Sequence, residues 1–114
     1  MITLQQIEQL MISELGYDFT EYNKSRKRER VYIRSIFFKL SKEYTIQSLD
    51  TIGSRLNKTH ATVINALDVF ENEVKVYEPD FYQVYQNLKN KLDEILVCKL
   101  VVKDVNLVTY GIKI

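Results

Sequence analysis

Lys24, Arg26, Lys27, Arg28, Arg30 and Arg34 crowd one short stretch of this chain, and a second group, Ser48, Lys58, Thr59, His60, Ala61, Thr62 and Asn65, follows close behind. The first group is guanidinium and ammonium, suited to neutralising a polyanion; the second is small and hydrogen-bonding, suited to touching base edges. Totals conceal the concentration, because 16 Lys and Arg against 15 Asp and Glu leave a net charge of +1. Between Lys24 and Lys58, however, ten bases meet three acids, whereas residues 1–23 hold four acids and no base. Residues 59–94 hold seven acids against three bases, so the molecule is expected to be electrically two-sided, with one face suited to a polyanion. His60 is the only histidine and Cys98 the only cysteine, which leaves carboxylates as the remaining metal-ligand type and makes zinc an unsuitable guest. Cys98 has no neighbouring charge pattern that marks a nucleophile. The expectation is a binding protein with no enzymatic activity, no cofactor and no metal.

The elements that would position these residues read as helices. A length of 114 residues with 46% apolar content, three Gly and one Pro fits one mostly helical domain of about five helices. Thr3 can cap a first helix carrying Leu4, Ile7, Leu10, Met11 and Leu15 on one face, with Gly16 as its stop. Asn23 or Ser25 can cap a second helix to about Tyr44, with Ile33, Ile36, Phe37, Leu40 and Tyr44 as its buried stripe and Lys27, Arg30 and Arg34 along another side. Ser48 caps a short third helix with Leu49, Ile52 and Leu56 inward. Asn57-Lys58 turns the chain, and Thr59 caps a fourth helix that buries Val63, Ala66, Leu67, Phe70 and Val74. Pro79 and Asp80 open a long fifth helix lined by Phe81, Val84, Tyr85, Leu88, Leu92 and Ile95. Beyond Leu96, branched residues in Val97–Val102 and Val105–Tyr110 predict a small hairpin or extended arm, dividing the chain into a helical body at 1–96 and an apolar tail at 97–114. Core packing is the default for the aromatics; Tyr32, beside the arginine row, is the one kept as a candidate for contact with a nucleic-acid backbone.

A short helix, a tight polar turn and a second helix with small side chains at its tip make the arrangement that enters a major groove about 12 Å wide. Residues from about Thr3 to Leu92 resemble the C-terminal DNA-binding domain of the bacterial replication initiator DnaA, a helical domain of the Trp-repressor-like class. The resemblance is carried by Lys24-Ser25-Arg26-Lys27-Arg28, by Arg34 fourteen residues before Ser48-Leu49, by Ile52-Gly53, by His60-Ala61-Thr62-Val63 against the family's His-Thr-Thr-Val, and by Asn65-Ala66. It implies that Arg34 reaches into the minor groove while Lys58 to Thr62 read the major groove. Three departures imply a drifted sequence preference. The family's Gly-Gly-Arg-Asp is one residue longer than Asn57-Lys58-Thr59, its acidic reader of cytosine has no counterpart, and one signature threonine is Ala61.

The chain contains no Gly-x-x-x-x-Gly-Lys-Ser/Thr loop, so the resemblance implies a double-stranded DNA-binding factor for replication initiation or transcription regulation that lacks an ATPase motor. The alternative is an adaptor or decoy of the initiator that dimerises or binds a replication protein through residues 97–114. A single cysteine forbids an internal disulfide, and neither a membrane-length apolar run nor a signal-peptide start is present. The expected location is the cytoplasm, at the nucleoid, with no membrane contact and no small-molecule substrate.

Overall fold

The computed structural model describes residues 2–16, 18–19 and 28–103. Helix α1, Leu4–Leu15, starts at a capping box: Thr3 Oγ1 accepts the Gln6 amide at 3.1 Å and Gln6 Oε1 accepts the Thr3 amide at 2.8 Å. It stops at Gly16, whose φ of 80° lies in the left-handed region and whose amide donates to the Ile12 carbonyl. Helix α2, Arg28–Tyr44, is the hub against which α1, α3, α4 and α6 all pack. Burial follows from that position: Tyr32, Ile33, Ser35, Ile36, Phe37, Phe38, Leu40 and Ser41 are all inside. The two serines are satisfied by back-bonding, Ser35 Oγ to the Tyr32 carbonyl and Ser41 Oγ to the Phe37 carbonyl, both at 2.7 Å.

Helix α3 is Leu49–Ser54 and α4 is His60–Val69; α4 runs on through a π-helical turn, Phe70–Val74, into the short α5, Lys75–Tyr77. The turn aims Phe70 and Val74 into the core, with the Phe70 ring edge-on to Tyr85 at 4.6 Å. Helix α6, Pro79–Lys103, returns along the body with Tyr85, Leu88 and Leu92 buried. No helix among the described residues is long and apolar enough to cross a membrane.

Two expectations need correction. Residues 97–103 continue α6 rather than starting a strand or extended arm, and the described residues contain no strand. Once a helix is nucleated, each further residue gains a backbone hydrogen bond for a propensity cost of at most about 0.7 kcal/mol, whereas a strand needs an edge to pair with. The remainder of the expected arm, Val105–Tyr110, lies outside the described residues, as do the proposed α2 caps Asn23 and Ser25. Tyr32 is not a surface aromatic either: it is 3% exposed, packs edge-on against Phe81 and donates its hydroxyl to Glu73 Oε1 at 3.1 Å.

Tyr32 belongs to a set of three phenols that tie α2 to its neighbours through carboxylates. Tyr85 donates to Glu43 and Tyr44 to Asp93, each at 2.6 Å. Burial, and then the hydrogen bond to a carboxylate, pushes all three phenols above their ordinary value of 10.0. The folded chain therefore holds these protons at a pH where the unfolded chain has released them, so rising pH favours unfolding. The thermal midpoint should stay level up to about pH 10 and then fall, each buried phenol contributing a limiting slope of about 1.4 kcal/mol per pH unit. Tyr85→Phe, followed by circular dichroism melts, should flatten that fall; a wild-type profile level through about pH 12 would contradict this account.

Candidate nucleic-acid interface

The α3–turn–α4 unit is set by one close approach. A Cβ built on Gly53 would sit 2.6 Å from the Lys58 carbonyl oxygen, 3.0 Å from Val63 Cγ2 and 3.2 Å from the Thr59 carbonyl oxygen. Glycine is thus what lets the turn fold back on α3. The Lys58 amide closes it by donating to the Gly53 carbonyl at 2.9 Å, and Asn57 takes the left-handed conformation, φ 58°, that asparagine tolerates better than most residues. Ser48 Oγ accepts the Thr51 amide at 3.2 Å and Thr59 Oγ1 accepts the Thr62 amide at 3.4 Å, so both hydroxyls serve as caps. Ile52, Leu56 and Val63, all at most 1% exposed, fasten the unit to the core.

What remains outside is the tip of α4. Thr59, His60, Ala61 and Asn65 are exposed, Thr62 and Lys58 are half-buried, and Ser48 is exposed at the start of α3. With His60, Ala61, Ile64, Asn65 and Asp68 outward and Val63 inward, the exposed set repeats every three to four residues and forms one helical face. Ile64 and Asp68 were absent from the expected site, although their spacing from His60 places them on its face. Asp50 was missed as well. Its Oδ1 lies 3.1 Å from His60 Nδ1, a contact across the α3–α4 angle between residues ten apart in the chain.

Among the expected cations, Arg28 is exposed while Arg30 and Arg34 are half-buried one turn apart on α2. Burial, and then the positive charge of Arg30, pulls the Arg34 guanidinium below its ordinary value. Two like charges so placed repel each other. Arg26 and Lys27 lie outside the described residues. Arg55, by contrast, serves the fold: its Nε and Nη2 donate to Glu8 Oε2 and Oε1 at 2.5 and 2.8 Å, clamping α3 to α1. Lys39 is likewise engaged, with Glu43 and Glu71, and its ammonium lies 5.7 Å from the Phe70 ring centroid.

Residues 5–69, which contain α2, α3, α4 and nearly all of α1, match the family described as bacterial dnaA protein helix-turn-helix. The chain belongs to that family. It is 36% identical over 67 residues to the chromosomal replication initiator protein DnaA of Oleidesulfovibrio alaskensis, covering 56% of this chain and 14% of that protein. Against the DnaA of Gloeobacter violaceus it is 33% identical over 94 residues, 81% of this chain and 21% of the relative. Against that of Bacteroides thetaiotaomicron it is 36% identical over 74 residues, 61% of this chain and 16% of the relative. The aligned part thus spans between 14% and 21% of the length of these curated relatives. No solved structure matches. The DnaA helix-turn-helix match ends at residue 69, where the α-helical part of α4 gives way to the π turn.

Gly53 makes the geometry of this DnaA-type unit testable. Gly53→Ala must displace a backbone oxygen rather than a pliable side chain, and overpacking of that kind costs about 1–3 kcal/mol. Urea titration should show a lower midpoint with an unchanged m-value; a midpoint within error of wild type would mean that the turn adapts freely.

Proposed function

We propose that this chain binds double-stranded DNA, with the tip of α4 in the major groove and the α2 arginines on the flanking backbone or in the adjacent minor groove. The observation that carries the reading is the exposed, small-side-chain tip of α4, held at a fixed angle by the Gly53 turn while its inner face is sealed by Val63. Ala61 and Thr62 suit thymine methyls, His60 and Asn65 suit base edges, and Ser48, Lys58 and Thr59 suit phosphates or bases at the rim. Arg26, Lys27, Arg28 and Arg30 supply phosphate contacts, and Arg34 reaches the minor groove. The DnaA relatives are named as replication initiators, which supports a role in replication initiation, or in transcription control through similar sites, at the nucleoid. A contact to a second copy or a replication protein through residues 97–114 draws support from Val97, 56% exposed on α6.

Titrating the protein with labelled duplex over a range of salt tests the reading. About five phosphate contacts give a slope of log affinity against log salt of roughly −4 to −5; a slope near zero would remove the proposal. On a duplex selected from a random pool, Arg34→Ala should weaken binding by about 1–3 kcal/mol. His60→Ala should instead change which sequences the selection returns.

A further inference from the structure

The contact between Asp50 and His60 assigns the imidazole a direction. Asp50 stands in the first turn of α3, where the helix dipole favours a carboxylate, and its Oδ1 is 3.1 Å from His60 Nδ1 at the start of α4. A carboxylate only accepts, so in the neutral imidazole the nitrogen facing it must carry the hydrogen and Nε2 must keep its lone pair. The His60 side chain remains 59% exposed and that of Asp50 80% exposed, so the pair stands on the surface that the proposed function turns toward DNA. A negative group beside the ring also discourages a phosphate from approaching it, which leaves a base edge as the better partner.

We infer that Asp50 is a positioning residue that presents His60 Nε2 as a hydrogen-bond acceptor, selecting an amino-bearing base, adenine through N6 or cytosine through N4, at one position of the recognised duplex. Guanine and thymine offer only acceptors at the corresponding major-groove positions and meet the Nε2 lone pair unfavourably. The inference rests on the proposed DNA-binding function and adds to it the polarity of one contact, set by a residue outside α4.

Two measurements test it, and they fail separately from the function beneath. His60 is the only histidine in the chain, so long-range proton–nitrogen correlation spectra contain one imidazole. Under mildly alkaline conditions the free protein should show the hydrogen on Nδ1, and Asp50→Ala should shift the ring toward the Nε2–H form that dominates in free histidine. A wild-type ring with the hydrogen on Nε2 overturns the inference whatever the DNA result. The second measurement takes a duplex selected by the wild-type protein and substitutes each base pair in turn. One position should show a preference of about five- to tenfold for adenine or cytosine, the scale of one discriminating hydrogen bond. Asp50→Asn, which removes the charge but keeps an acceptor, should raise affinity on all duplexes and retain that preference. Asp50→Ala should also bind more tightly but lose the preference to within about twofold. Retention of the preference in Asp50→Ala overturns the positioning role while leaving DNA binding intact. Absence of salt-dependent binding to every duplex removes the proposed function and the base preference with it.

Discussion

Gly53 lies where α3 meets the carbonyl of Lys58, with 2.6 Å between that oxygen and the place a Cβ would occupy. The rest of the site depends on that missing carbon. With the turn drawn in, the Lys58 amide bonds back to Gly53, Thr59 is placed to cap α4, and Val63 falls into the core beside Ile52 and Leu56. The buried side of α4 is thereby settled, and the opposite side, His60, Ala61, Ile64, Asn65 and Asp68, is exposed, with His60 also in contact with Asp50. A side chain at position 53 would push α4 outward, and every residue of the proposed reading face would move with it.

Geometry rather than residue type commits some of the described cations to holding the fold. Arg55 is spent on a two-pronged hydrogen bond to the mostly buried Glu8, which strengthens its hold on the proton and keeps α1 against α3. Lys39 lies between Glu43 and Glu71 over an aromatic ring. Arg30 and Arg34 are half-buried one turn apart along α2, where burial and then the Arg30 charge pull the Arg34 guanidinium below its ordinary value. The acids are also structural: Glu73, Glu43 and Asp93 accept from Tyr32, Tyr85 and Tyr44 and so join α2 to the π turn and to α6.

The π-helical turn at Phe70–Val74 resolves a conflict between the two ends of α4 and its continuation. Its first part must keep Val63 inward to support the turn, while its second must bring Phe70 against Tyr85 on α6 and bury Val74. An extra residue in one turn rotates the later face relative to the earlier one, as π turns within helices do. Phe70, Tyr82 and Tyr85 then form a small aromatic cluster at the join with α6, with Tyr82 and Tyr85 stacked at 5.7 Å.

Helix starts and stops were legible in the residues because capping is local chemistry. Thr3, Ser48 and Thr59 each hold an amide three positions on, Gly16 takes the left-handed stop, and Pro79 opens α6, all as their types and spacing predict. The same holds for the concentration of basic residues and for the side of α4 that faces inward, since both are properties of a continuous segment. Distant pairings were not legible. Nothing near Tyr32 announces that Glu73 and Phe81 will enclose it, nothing near Arg55 that Glu8 will claim it, and nothing near His60 that Asp50 will orient it. The helical course of residues 97–103 was concealed because branched side chains favour a strand only where a neighbouring strand exists to pair with, and among the described residues there is none. Order along the chain therefore determined the helices and their inward faces; which charges and phenols join distant elements was decided only when segments far apart in sequence came within bonding distance.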